Sequence, residues 1–81
     1  MPERRQSTRH TTRLAGRVIH GPEGSTLDGI VHNLSEAGAM LACGNPLHLP
    51  DRLTFALPAH GLRRQAWIVW RRLDSVGLAF F

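Results

Sequence analysis

The sequence predicts a small all-β fold, a six-stranded antiparallel barrel, and two observations carry that prediction. β-Branched, aliphatic and aromatic residues recur in short runs parted by Gly, Pro, Asn and Asp at regular intervals, the pattern of strands joined by tight turns. No long stretch carries the 3.6-residue apolar repeat of an amphipathic helix. Closure into a barrel follows, because it removes the exposed strand edges that a small open sheet leaves.

Residues 1–12, MPERRQSTRHTT, contain no Leu, Ile, Val or aromatic residue. They have nothing to bury and are read as a flexible, Arg-rich N-terminal arm, with the barrel assigned to 13–81. The first strand is Arg13 to His20, closed by the turn Gly21-Pro22-Glu23-Gly24. The second is Ser25 to Asn33, where Ile30 and Leu34 share a parity opposed to Val31. A Ser-Glu-Ala-Gly break precedes the short apolar strand Ala39 to Ala42, and Asn45-Pro46 with Pro50-Asp51 bracket a loop. In the fourth strand Leu53, Phe55 and Leu57 alternate with Thr54 and Ala56, so one face is buried. Pro58 to Gly61 turns the chain into a longer strand with the alternating row Leu62, Ala66, Ile68 and Trp70, which places Trp70 inside and Trp67 outside. Arg71 to Ser75 turns it again, and Val76 to Phe81 is the sixth strand.

Composition narrows the function. A chain of 81 residues has room for one domain and one compact core. Its 42% hydrophobic and 20% charged content is that of a globular protein. Ten basic residues against six acidic give a formal charge of +4, and all ten are Arg. Arginine offers a planar fork of donors that suits phosphate and guanine edges, so an anionic partner is indicated. The single Cys43 excludes an internal disulfide and forms no zinc or redox motif. No apolar run reaches the length of a membrane span and the start lacks a secretory apolar core, so a cytoplasmic protein without membrane insertion is expected.

Catalysis finds no support. The sequence has no G-x-S-x-G elbow, no H-E-x-x-H and no glycine-rich phosphate loop. The five histidines, His10, His20, His32, His48 and His60, fall at spread positions that suggest no metal cluster. Trp67 and Trp70 beside Arg63, Arg64, Arg71 and Arg72 raise the alternative of a barrel that binds single-stranded nucleic acid. Their opposite parities count against a stacking ladder, so nucleic acid is the disfavoured partner.

Two elements speak for a specific ligand. The arm carries Arg4, Arg5 and Arg9, with Arg5 and Arg9 bracketing three small polar residues; in a turn both guanidinium groups can face one anionic or guanine-like ligand. Between the second and third strands lies Asn33-Leu34-Ser35-Glu36-Ala37-Gly38. There Asn and Ser side chains either bond their own backbone in a turn or present an amide and a hydroxyl to a ligand that Gly38 lets approach.

Taken together, Arg-Arg-x-x-x-Arg, two intervening strands and Asn-x-Ser-x-x-Gly resemble the PilZ domain, a bacterial receptor for the second messenger cyclic di-GMP. The ending AWIVWRRLDSVGLAFF is similar to that family's closing pair of strands, and the resemblance runs from Arg4 to Phe81. It implies a PilZ-type (split) barrel with no catalytic residue, no metal and no cofactor beyond the ligand. By motif, Arg5 and Arg9 grip guanine edges and phosphates with Arg4 assisting. Asn33 contacts a guanine, Ser35 hydrogen-bonds the ligand and Gly38 admits it, while His10, next to Arg9, is a candidate contact. Asn33 stands where the family has Asp or Asn, and as Asn it keeps an acceptor but lacks the carboxylate. The sixth strand is not followed by the C-terminal helix that many members have, which leaves one barrel opening for a partner. The resemblance further implies a downstream protein partner, a role in motility, biofilm or exopolysaccharide control, and either a monomer or a weak homodimer. A PilZ-like adaptor that no longer binds ligand is the other alternative.

Overall fold

The computed structural model describes residues 10–81, with side chains from Arg13 onward. Six strands make up the fold: β1 (His10–His20), β2 (Ser25–Leu34), β3 (Gly38–Ala42), β4 (Arg52–Leu57), β5 (Leu62–Arg71) and β6 (Ser75–Phe80). They close in the order β1-β2-β3-β6-β5-β4, every pairing antiparallel. The expected all-β six-stranded barrel is therefore the fold observed. β1 begins at His10, three residues before the start read from the sequence, because backbone pairing with β2 continues past the last apolar residue.

Turn chemistry explains the boundaries. Gly21 and Gly24 both adopt positive φ, 79° and 72°, and Gly24 N–H donates to Gly21 O at 3.2 Å, closing the β1–β2 hairpin. Short 3-10 turns at Pro46–His48 and Pro58–His60 each start on a proline, whose fixed φ suits the first position. Among the described residues no helix is long and apolar enough to cross a membrane.

The core is the inward set of alternate residues. Val18, Val31, Leu41, Phe55 and Val76 are fully buried, and Leu53, Leu57, Ala66 and Leu78 join them. Phe55 and Phe80 pack at 5.4 Å between ring centroids, and the Arg64 guanidinium lies 4.8 Å over Phe80. Arg71 works as a staple. Its Nη1 donates to Leu49 O at 2.6 Å and to Pro46 O and Leu47 O at 3.4 Å, and its Nη2 pairs with Asp51 at 2.8 Å. It thus ties the 46–51 loop to the barrel through three of its carbonyl groups and one carboxylate.

Two expected parities are overturned. Between Ile68 and Trp70 the register slips, so that Ile68 faces Leu78 and Trp70 faces Gly77 with Val69 as the extra residue. Ile68 packs on the core, but Trp70 turns outward and is 38% exposed. β2 slips in the same way between Val31 and Asn33, leaving His32 extra. Leu34 accordingly points inward while Ile30 stays outside, so these two do not share a face.

Candidate functional site

The strand register assembles a row on the outer face of the barrel. Asn33 on β2 pairs with Met40 on β3, Met40 with Gly77 on β6, and Gly77 with Trp70 on β5. The next row holds Gly38, Ala79 and Trp67. Side chains in one row of a sheet leave the same face, so Asn33 and Trp70 stand as opposite walls with Met40 and Gly77 between them. Between them lies a groove of about 240 Å³, lined by Asn33, Ser35, Gly38, Met40, Trp70 and Gly77 among others.

Two glycines shape the floor. A Cβ at Gly77 would run into the Trp70 indole, so the ring lies directly on this glycine. A Cβ at Gly38 would run into Leu78 O, so the approach of β3 to β6 demands glycine there before any ligand does. Ser35 closes the β2–β3 turn: its N–H donates to Gly38 O at 2.9 Å and its Oγ accepts from Ala37 N–H at 3.1 Å. One lone pair and the hydroxyl proton of Ser35 remain for a ligand. The segment is thus a turn built by its own side chain, and Ser35 stands on the rim of the groove.

Among the described residues, none that lines the groove is charged. It offers an amide, a hydroxyl and an indole, groups that suit a nucleobase better than a phosphate. A described cation at its edge is Arg72, whose guanidinium lies 5.1 Å from the centre of the Trp70 ring. At about 240 Å³ the groove falls below the roughly 300–1,000 Å³ of pockets for drug-sized ligands. It takes part of a large ligand, leaving charge neutralisation to groups outside it.

Of the site residues read from the sequence, Asn33, Ser35 and Gly38 come together in this groove. The backbone of His10 pairs with Leu34 and that of Thr11 with Asn33, so β1 enters the sheet beside it. Arg4, Arg5 and Arg9 lie outside the described residues. Sequence reading missed Trp70, which it placed in the core. The available signal was Gly77, since a glycine inside a strand marks a close approach by another group.

The described lining of the groove offers an amide, a hydroxyl and an indole, groups suited to recognition. Among the described residues no three His, Cys, Asp or Glu side chains gather to hold a metal. Comparison with known families agrees with a recognition domain. The sequence profile of the PilZ domain matches residues 3–81. The chain belongs to the PilZ domain family. PilZ domains are ligand-binding, non-enzymatic receptor domains for cyclic di-GMP. A search of curated proteins gives no match.

This PilZ domain also carries an aromatic face beside the groove. Trp67, 41% exposed, shares the outer side with Trp70, which removes the parity argument against a stacking platform. The rings are nevertheless engaged. Trp67 packs on Phe81 at 4.8 Å with Arg52 within 6 Å of both, and Trp70 is held between Gly77 and Arg72. Bases seeking free aromatic faces would first displace these contacts.

Proposed function

We propose that this PilZ domain is a cyclic di-GMP receptor whose groove between Asn33 and Trp70 takes one guanine of the ligand. The observation that carries the reading is the convergence of Asn33, Ser35 and Gly38 on one outward groove with Trp70. In this reading the Asn33 amide and Ser35 hydroxyl bond the base edge, and Trp70 packs against the purine. The ligand's two negative charges fall to Arg4, Arg5 and Arg9. Arg9 is bonded to His10, whose backbone stands opposite Leu34 at the groove, so the arm needs no long reach. An arginine fork on guanine O6 and N7 contributes roughly 1–3 kcal/mol of discrimination. Arm residues that order over the ligand create a new surface for a downstream protein, the usual logic of a ligand switch. Control of motility, biofilm or exopolysaccharide output from the cytoplasm is the biological role we assign to that relay.

Isothermal titration of cyclic di-GMP into the full chain tests the proposal, with GMP and a short single-stranded oligonucleotide as controls. The expected result is saturable binding near micromolar, about −8 kcal/mol, that GMP does not reproduce. An absence of heat would identify an adaptor without ligand. Equal binding to the oligonucleotide would mean that the arginine charge and the aromatic face serve nucleic acid instead.

A further inference from the structure

On the side of the barrel away from the Asn33–Trp70 groove, three neighbouring strands place Arg17, Ala56 and Arg63 in one row. Arg17 on β1 pairs with Ala56 on β4, and Ala56 pairs with Arg63 on β5. Adjacent strands lie about 4.8 Å apart, so the two arginine Cα atoms stand roughly 10 Å apart with a single methyl group between them. A cleft of about 240 Å³ opens at this row. Ile19, Ala56, Pro58 and Leu62 give it an apolar floor, and Arg17 and Arg63 are its two cationic walls.

The two arginines are differently engaged. Arg17 Nε donates to Asp28 Oδ1 at 2.7 Å, across its register pair on β2. That contact fixes the direction of the guanidinium and occupies one of its five N–H donors, leaving the terminal amino groups free to bond elsewhere. Arg63 has no hydrogen bond or ion pair among the described residues. One wall is thus preset and the other is uncommitted, above a floor that a bare ion would leave wet.

We propose that the Arg17–Arg63 cleft is a second ligand site, for a small oxyanion, phosphate or carboxylate, carried on an apolar body about one ring in size. Each half of the cleft asks for one half of such a ligand. Paired arginine forks hold oxyanions through charge-assisted hydrogen bonds, and apolar floor area is worth covering only with apolar atoms. At about 240 Å³ the cleft falls below the roughly 300–1,000 Å³ of pockets for drug-sized ligands, which suits a ring and its anionic group.

The test is ¹H–¹⁵N NMR of the full chain titrated with phenyl phosphate, benzoate, inorganic phosphate and benzyl alcohol. Phenyl phosphate or benzoate is expected to give saturable shifts confined to the amides of Ile19, Ala56 and residues 61–63. The tighter of the two names the oxyanion, and inorganic phosphate and benzyl alcohol, each carrying half of the recognised chemistry, bind at least about fivefold more weakly. Arg63→Gln removes one charge-assisted partner and should weaken binding about tenfold; Ala56→Leu fills the floor and should abolish it. Both variants keep their affinity for cyclic di-GMP, since neither residue lines the other groove. Should Ala56→Leu fail to fold, Arg63→Gln at its exposed position decides. Shifts spread over other arginines such as Arg52 and Arg72, binding undiminished in Arg63→Gln, or inorganic phosphate equal to phenyl phosphate would overturn the proposal.

Discussion

Gly38→Ala separates two roles that one glycine can have. By motif it admits a ligand, so its loss would cost binding alone. The structure adds that a Cβ at this position would run into the Leu78 carbonyl oxygen, with Leu78 C at 3.1 Å and Ala79 Cα at 3.3 Å behind it. All three are backbone atoms of β6 and none can rotate away. Overpacking of this kind costs typically about 1–3 kcal/mol, and immovable backbone puts Gly38→Ala at the upper end. Replacing Gly by Ala returns about 0.4–1 kcal/mol through the unfolded chain. The net loss is then about 2 kcal/mol, which for a domain of this size lowers the melting temperature by roughly 8–16 °C. Gly77→Ala is the internal control. There the obstructing group is the Trp70 side chain, which can swing outward, so the two effects nearly cancel and the melting point moves little. Thermal unfolding followed by circular dichroism, without ligand, reads both variants. A Gly38→Ala protein melting within about 2 °C of wild type would show that the β3–β6 approach is slack and that the glycine serves the ligand alone.

Other expectations follow from the same geometry. Trp70→Ala should stay folded, losing about 1–2 kcal/mol for the apolar area it covers while weakening cyclic di-GMP binding, whereas Phe55→Ala at a fully buried site should cost about 3–5 kcal/mol and unfold the domain; chemical denaturation distinguishes them. Arg71→Ala removes the donor to three loop carbonyls and to Asp51, so limited proteolysis should cut within 46–51 first, and stability should fall by about 1.5–3 kcal/mol. Arg5→Ala or Arg9→Ala should reduce cyclic di-GMP affinity about tenfold, 1.4 kcal/mol, as read by titration calorimetry. Burial, and secondarily the charge of Asp74, pushes the Cys43 thiol above its ordinary value. The folded state therefore holds the proton more tightly than the unfolded one, and its contribution to stability is intact at neutral pH and is lost as pH rises through the thiol range; a thiol reagent at mildly alkaline pH should react with the native protein far more slowly than with the unfolded one.

The strand plan was legible because each boundary has a local cause. Gly21, Gly24 and Gly61 mark turns by positive φ, prolines open the two 3-10 turns, and alternation such as Leu53, Phe55 and Leu57 declares the buried face. Asn33, Ser35 and Gly38 were legible as a cluster because they are adjacent in sequence. Arg71 was not legible as a structural residue. Its partners lie 20 or more positions away, and a guanidinium that bonds loop carbonyls has the same local sequence as one left in solvent. Trp70 was misplaced for a different reason: period two holds only while the ladder is regular, and nothing in Ile68-Val69-Trp70 announces a bulge.

That misplacement points to how the groove is made. Val31 and Ile68 both face the core, so an unbroken alternation would send Asn33 and Trp70 inward as well. An amide would then be buried in an apolar barrel, where an unpaired polar group is costly, and an indole would crowd a core already filled by Phe55 and Leu41. The extra residue in each strand, His32 in β2 and Val69 in β5, reverses the parity after it and sends both side chains out. The two slips meet at the same level of the barrel, since Asn33 and Trp70 belong to one row through Met40 and Gly77. A third irregularity, between Thr11 and Leu14 in β1, brings Thr11 opposite Asn33 at the end of that row. Bulges re-aim side chains at the expense of ladder pairing; here the two that flank the groove turn what regular strands would have made core positions into its opposing walls.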